Sequence, residues 1–176
     1  MKKTIASLAV FFLLISPCLA AKPLSVTRVI DGNTLQLSNG EKVRLIGVDT
    51  PESSYNAKLR SDAKRTGRSA KEIIKLGKQA TELTRKLVLG KPVSLEYDVQ
   101  PKDPYGRTLA YVSFYYLDPR LKYVEGEKEG QTVFLNATLI KAGYAQVMTT
   151  PPNVKYQDLF VKLEKEAREY RRGLWA

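Results

Sequence analysis

Short strand-like segments ended by turn dipeptides constrain the fold of this chain more than any other feature of its sequence. Near the start of the chain these segments are residues 24–30, 34–37 and 42–48. Asp31-Gly32 separates the first segment from the second, and Asn39-Gly40 separates the second from the third. Because Asn-Gly is a strong two-residue hairpin signal, the three segments predict a β-meander.

Helical periodicity appears in three later segments. From Ala70, apolar residues recur at intervals of three and four until Gly90, a residue type that commonly ends helices. Residues 135–142 predict a second, short helix. A third helix follows Asn153, which can cap a helix start, and ends at Gly173.

Two further strands, at residues 93–99 and 108–116, complete the predicted regular elements. The second of them is rich in tyrosine and β-branched residues, which favour strands. Five short strands with three helices predict a mainly β chain with packed helices, an α+β fold. A small five-stranded barrel of the OB type, with the three helices packed outside it, fits this order of elements.

Residues 53–69 lie between the meander and the first predicted helix and show almost no apolar periodicity. We expect an exposed, mobile loop there. Its basic residues are Lys58, Arg60, Lys64, Arg65 and Arg68. Residues 118–131 predict a second polar excursion, between the fifth strand and the next helix.

The first twenty residues have the pattern of a secretory signal peptide. Lys2 and Lys3 precede an apolar run that Pro17 interrupts, and small residues stand where a signal peptidase would cut after Ala20. We therefore expect a signal at residues 1–20 and a single domain at 21–176. An uncleaved membrane anchor is the alternative, although the apolar run is shorter than the roughly 20 residues that span a bilayer.

The charge and the missing residue types limit the chemistry. The chain has 29 Lys and Arg against 18 Asp and Glu, so an anionic partner such as nucleic acid is expected. It contains no histidine, and its one cysteine, Cys18, lies in the predicted signal. Imidazole bases, thiol nucleophiles and zinc held by histidine or thiolate are thereby excluded. Catalysis must rest on carboxylates, Lys, Arg, Tyr, hydroxyls or a hard cation.

Three polar clusters at predicted strand ends contain the residue types that could still carry out catalysis. They are residues 31–34 (DGNT), 44–52 (RLIGVDTPE) and 103–107 (DPYGR). Arginine binds phosphate bidentately and can stabilise the charge of a phosphoryl transition state. Oxygen ligands suit Ca²⁺ or Mg²⁺, and a glutamate can activate water. Each cluster also has a structural interpretation: Asp31-Gly32 as an ordinary turn, residues 49–52 as a strand exit with a capping box, and Arg107 as a solvated surface residue.

The segments VIDGNTLQL, RLIGVDTPE and DPYGRTLAYV resemble, in order and spacing, the three signatures of the thermonuclease (staphylococcal nuclease-like) family. The segment LNATLIKAGYAQV and the terminal GLW extend the resemblance over residues 24–175. It implies a five-stranded OB barrel with three helices. It also implies calcium-dependent hydrolysis of DNA and RNA that leaves 3′-phosphate ends.

Residue by residue, the resemblance places the two phosphate-binding arginines at Arg44 and Arg107 and the catalytic glutamate at Glu52. It places the calcium ligands at the Asp49 side chain, the Thr50 carbonyl and position 33. The family normally has aspartate at that position, and this chain has Asn33. Since asparagine keeps an oxygen but loses a negative charge, we expect one weakly bound Ca²⁺ that binds more tightly once substrate is present.

Substrate contacts depart further from the family pattern. The tyrosine pair that would stack on a base is not evident, since residues 148–151 read MTTP, so stacking could come from Tyr105 or Tyr156. The basic loop next to the site could follow the backbone of a longer substrate. For this role we single out Arg60, Lys64, Arg65 and Arg68.

These inferences together predict a secreted or periplasmic, monomeric, calcium-dependent nuclease that acts on single-stranded DNA and RNA. No stable protein partner is implied, and no membrane association after signal cleavage. Two alternatives remain: a catalytically weak nucleic-acid-binding OB module, with Asn33 as the defect, and an OB module of the cell envelope that binds some other ligand.

Overall fold

The structure, a computed structural model, describes residues 23–116 and 130–176. The predicted signal peptide at 1–20 and most of the predicted excursion at 118–131 lie outside the described residues. Within the described ranges, no helix is long and apolar enough to cross a membrane.

Eight strands and four helices make up the described parts of the chain. The strands are β1 (Val26–Asp31), β2 (Thr34–Leu37), β3 (Lys42–Leu45), β4 (Val48–Asp49), β5 (Val93–Glu96), β6 (Thr108–Tyr116), β7 (Gln131–Phe134) and β8 (Gln146–Val147). The helices are α1 (Ala57–Thr66), α2 (Ala70–Val88), α3 (Leu135–Lys141) and α4 (Gln157–Glu169), and a 3₁₀ turn covers Gly173–Trp175.

Five of the strands form the wall of a barrel in the order β1-β2-β3-β6-β5. All neighbours are antiparallel except β3 and β6, which are parallel. The two ends of this order meet, because Val26 N donates to Lys91 O at 3.1 Å and Val93 N donates to Leu24 O at 2.8 Å. The predicted α+β class with an OB-type barrel is confirmed.

The core lies inside this barrel and beneath α2 and α3. Leu35, Leu45 and Phe114 are almost fully buried on the strands, while Leu87 and Leu139 close the core from the two helices. Burying each such side chain contributes roughly 1.5–3 kcal/mol. This packing fixes the strand ends from which the polar clusters project.

The third predicted strand, residues 42–48, is divided in two in the structure. β3 ends at Leu45, and Gly47 adopts a left-handed φ of 76° before β4 begins. A side chain at Gly47 would also collide with the Phe160 ring, 2.5 Å from its added Cβ. The bend lets β4 pair with β8 instead, and Asp49 lies opposite Gln146.

The expectation of an exposed, mobile loop at residues 53–69 is wrong, since most of that segment is helix α1. Asn56 caps the helix by accepting from Leu59 N at 2.7 Å, and Gly67 ends it in the left-handed conformation. Leu59 is fully buried and attaches α1 to the body of the protein. The helix depends on two caps and one anchor, and so it lacks the periodic apolar stripe that sequence analysis detects.

Two smaller expectations are also corrected. β7 occupies residues 131–134, where the sequence suggested only the end of a polar excursion. Asn153 does not cap the last helix, which begins at residue 157. Its buried amide instead bonds the Gln100 backbone, accepting from N at 2.7 Å and donating to O at 2.8 Å.

Candidate active site

Strand register brings the three polar clusters to one end of the barrel. Arg44 of β3 pairs with Thr34 of β2 on one side and with Leu109 of β6 on the other. Asn33 lies immediately before Thr34, the β2 residue that pairs with Arg44, and Arg107 lies immediately before the first residue of β6. Segments that are distant in the sequence meet here because β3 lies between β2 and β6.

Arg44 is the buried centre of the site. Its side chain is 10% exposed, and its Nη2 lies 3.4 Å from Asp49 Oδ1. Its Nη1 donates to the Val48 carbonyl at 2.7 Å and to the Leu45 carbonyl at 3.2 Å. These bonds fix the guanidinium plane against the bend between β3 and β4.

The charges around Arg44 show which groups share its environment. Burial lowers the pKa of the Arg44 guanidinium below its usual value, and the positive charge of Arg107 acts in the same direction. Asp49, Asp31 and Asp103 oppose that lowering. Both arginines and three carboxylates from the predicted clusters therefore belong to one electrostatic site.

Asn33 is almost fully buried, 5% exposed, at the edge of this site. Its side-chain Nδ2 donates to the Val48 carbonyl at 3.4 Å, the same oxygen that Arg44 bonds. Its backbone oxygen accepts from Leu45 N at 2.9 Å. An aspartate could not make the bond to Val48, so Asn33 also holds the polypeptide bend in place.

The Asp31-Gly32 turn has a structural role and supports the metal-ligand candidates. Asp31 Oδ1 accepts from Asn33 N at 3.0 Å, which closes the turn. Thr84 of α2 donates its hydroxyl to the Gly32 carbonyl at 2.8 Å. A Cβ added at Gly32 would lie 2.8 Å from the Thr50 side chain, so this turn and the buried Thr50 are in close contact.

Glu52 extends from the loop between β4 and α1 and is held at both oxygens. Asn56 donates its Nδ2 to Oε2, and Lys58 lies 3.0 Å from Oε1. Asn56 thus caps α1 and orients Glu52 with the two ends of one amide.

Lys58 joins the carboxylates of the site to one another. Its Nζ lies 3.1 Å from Asp49 Oδ2, 3.0 Å from Glu52 Oε1 and 3.6 Å from Asp62 Oδ2. Burial works against its charged form, but Asp49 and Glu52 outweigh that effect and raise the pKa of Lys58. In sequence, Lys58 is just one of the basic residues of a predicted loop, because α1 was not expected there.

The DPYGR turn presents the second arginine. Asp103 Oδ2 accepts from Arg107 Nε at 2.6 Å, and Asp103 Oδ1 accepts the backbone N–H groups of Tyr105 and Arg107, both at 2.9 Å. Burial alone would raise the pKa of Asp103, but these bonds hold it below its ordinary value. Among the described residues, the Arg107 guanidinium bonds through Nε alone, which leaves its two terminal nitrogens for a phosphate.

The two tyrosines considered for base stacking occupy different environments. Tyr105 is 84% exposed, and its ring lies 5.6 Å from the Arg107 guanidinium. Tyr156 donates its hydroxyl to Glu96 and packs its ring edge-on at 4.7 Å from Tyr111. Tyr105 is therefore free to meet a ligand, whereas Tyr156 belongs to an aromatic cluster.

The basic residues predicted to contact substrate are not equivalent. Arg60 and Lys64 are exposed on α1, which also contains Arg65. Arg68 follows α1, is half-buried, and donates its Nη2 to the Leu174 carbonyl at 2.7 Å. The structure therefore leaves Arg60 and Lys64 on the exposed surface of α1, whereas Arg68 ties the helix pair to the C-terminal turn.

Gly77 of α2 is a site-supporting residue that the sequence reasoning missed. A Cβ added there would lie 2.5 Å from the carbonyl carbon of Glu52 and 2.6 Å from the carbonyl oxygen of Pro51. Helix and loop can approach this closely only without a side chain. In the sequence, the signal for this close approach is a single glycine within a helical pattern.

The donors predicted for a metal fit a hard cation in type but supply little charge. The Asp49 carboxylate, the Asn33 amide oxygen and the Thr50 carbonyl are all oxygen ligands of the kind calcium prefers. Among the described residues, no cluster of three or more carboxylate, histidine or cysteine groups is arranged to hold a metal. Asp49 is moreover covered by Lys58, so a cation can use it fully only after the ammonium moves.

Residues 42–176 match the family described as Staphylococcal nuclease homologue. The chain is 37% identical over 153 residues to a protein named Thermonuclease from Staphylococcus intermedius, covering 85% of this chain and 74% of that one. It is 34% identical over 154 residues to the Thermonuclease of Staphylococcus hyicus, with 86% and 74% covered. Endonuclease YncB of Bacillus subtilis is 32% identical over 158 residues, with 87% of this chain and 61% of that one covered.

The chain therefore belongs to the staphylococcal nuclease homologue family, as the three motifs predicted. It is a nuclease of that family, and the predicted enzyme class, a phosphodiester hydrolase, is confirmed.

Proposed function

We propose that this protein is a secreted, calcium-dependent phosphodiesterase that cuts single-stranded DNA and RNA and leaves 3′-phosphate ends. The observation that carries the proposal is one connected cluster: buried Arg44 contacts partly buried Asp49, Lys58 joins Asp49 to Glu52, and the charge of Arg107 acts on Arg44. Two guanidinium groups in one site with a carboxylate that can activate water suit a phosphodiester, whose charge grows in the transition state. The alternatives without catalysis explain neither the buried arginine nor the doubly held glutamate.

Each residue has a distinct role in this proposal. Arg44 and Arg107 hold the non-bridging oxygens of the phosphate and stabilise the additional charge. Glu52 accepts the proton of the attacking water, and its contacts to Asn56 and Lys58 hold the carboxylate in position for that step. Tyr105, next to Arg107, offers a face on which a neighbouring base can stack, and Arg60, Lys64, Arg65 and Arg68 favour a polyanion near α1.

Calcium would be held by Asp49, the Asn33 amide oxygen and the Thr50 carbonyl. Bound there, a divalent cation supplies positive charge to the phosphate and orients oxygen atoms near it. With one carboxylate in the set, we expect weak affinity in the free protein and tighter binding with nucleotide present. Export of the domain at residues 21–176 after removal of a signal at 1–20 follows from the N-terminal sequence pattern, and a monomer without a stable partner is expected.

The test is digestion of heat-denatured DNA and of RNA with Ca²⁺, after EGTA, and after Ca²⁺ is restored. Cleavage of both polymers that EGTA stops and Ca²⁺ restores supports the proposal. The 3′-phosphate ends are checked by whether a phosphatase specific for 3′ ends shifts the products in a gel. Strong binding with no cleavage at any calcium concentration would favour the binding-module alternative instead.

A further inference from the structure

The Lys58 ammonium lies at the point where the site carboxylates converge. Its Nζ contacts both oxygens of Asp49, at 3.2 Å and 3.1 Å, and Oε1 of Glu52 at 3.0 Å. Asp62, one helical turn further along α1, lies 3.6 Å away. The ammonium therefore neutralises negative charge that these carboxylates would otherwise offer to another cation.

The helix itself does not favour a lysine at this position. Lys58 lies in the first turn of α1, where the helix dipole disfavours positive charge, and that turn contains no acidic residue. The surrounding carboxylates therefore account for its position.

These contacts engage the two carboxylates that the proposed calcium binding and water activation require. Asp49 Oδ1 is shared by Lys58 and Arg44, and Asp49 Oδ2 contacts Lys58. Glu52 accepts from Lys58 at Oε1 and from Asn56 at Oε2. As long as the ammonium remains in place, Asp49 gives little negative charge to a metal, and the ammonium competes with water for Oε1 of Glu52.

We propose that Lys58 is an internal cation that closes the site of the free protein and competes with calcium for Asp49. The inference rests on the proposed calcium-dependent function and adds a positioning residue to it. The Lys58 side chain is 42% exposed and has a flexible stem, so its ammonium can turn from the carboxylates to a phosphate of bound substrate. Substrate and calcium then bind cooperatively, because the substrate removes the competitor of calcium.

The test is titration calorimetry of Ca²⁺ into the full protein at one ionic strength, without nucleic acid. Lys58→Met removes the ammonium and keeps the length of the side chain, and Lys64→Met removes the same charge from an exposed site on the same helix. Lys58→Met should lower the calcium Kd by a factor on the order of ten, since a dication near an ammonium is strongly repelled. Lys64→Met and Lys58→Arg should leave the Kd close to that of the parent.

A second titration, with thymidine 5′-monophosphate present, measures the coupling between nucleotide binding and calcium binding. This nucleotide contains no phosphodiester bond that the enzyme could cut. The nucleotide should tighten calcium binding to the parent several-fold and to Lys58→Met much less. If Lys58→Met binds calcium like the parent, or Lys64→Met tightens it equally, the proposal is overturned. Lys58→Gln serves as a second neutral variant if the methionine variant fails to fold. Failure of the proposed function is detected separately, as absence of calcium-dependent cleavage by the parent.

Discussion

The backbone of Glu52 rests directly on Gly77 of helix α2, where an added Cβ would lie 2.5 Å from the Glu52 carbonyl carbon. Glycine in a helix costs about 1 kcal/mol relative to alanine. The helix accepts that cost where the loop of the proposed catalytic residue must approach it. We therefore consider Gly77 part of the support that sets the position of Glu52.

Gly77→Ala should lower kcat at least tenfold while the protein remains folded. The methyl must displace the loop, so Glu52 loses its position relative to the arginines. Steady-state kinetics on a short oligonucleotide and urea unfolding measure the two effects. Lys78→Ala, on the exposed face of the same helix, is the control and should change neither. Parent-like kcat in Gly77→Ala would show that the loop tolerates the methyl.

The two roles of Asn56 can be separated by substitution. Asn56→Ser keeps a cap for α1 but loses the amide that bonds Glu52. We expect a several-fold lower kcat with little change in the free energy of unfolding. Asn56→Ala loses both bonds and should cost about 1 kcal/mol of stability in addition. Equal kcat in the parent and both variants would remove Asn56 from the positioning of Glu52.

The sequence predicts the barrel because its strands alternate and its turns carry Gly, and it predicts α2, α3 and α4 because their apolar residues are periodic. It does not predict α1, whose stability comes from Asn56, Gly67 and one buried leucine. The resemblance supplied the positions of the site residues, and strand register brings them together. The contacts of Lys58 and Gly77 could not be predicted, since both depend on how α1 and α2 pack against the loop of Glu52.

Asn33→Asp should reduce the calcium concentration needed for half-maximal cleavage, because it adds a carboxylate to the proposed ligand set. The variant also loses the bond from Asn33 to the Val48 carbonyl, so it should be less stable by about 1 kcal/mol. Calcium titrations of activity at one ionic strength give the first quantity. Asn39→Asp, in an exposed turn, adds the same charge elsewhere and should leave the titration unchanged. An unchanged or higher calcium requirement in Asn33→Asp would argue against Asn33 as a ligand.

The exposed basic face of α1 should contribute to the salt dependence of binding. Replacing Arg60 and Lys64 with serine removes two exposed charges from α1, and each lost phosphate contact on a single strand flattens the log–log salt slope by about 0.7. Fluorescence anisotropy with labelled single-stranded DNA in EGTA measures the slope without cleavage. Lys162→Ser with Lys165→Ser, on α4, is the charge-matched control. Equal slopes for the two double variants would mean that α1 acts only through net charge.

Arg107→Lys is the most direct test of the account, because it keeps the charge and removes the planar fork that the proposal assigns to the phosphate. The measurement is the single-turnover cleavage rate of a short single-stranded oligonucleotide at saturating calcium, together with a circular dichroism spectrum. Losing one such donor costs about 3–4 kcal/mol in the transition state, so the rate should fall by roughly two to three orders of magnitude in a folded protein. A folded Arg107→Lys variant that cleaves at the rate of the parent would contradict the central claim that the two arginines hold the reacting phosphodiester.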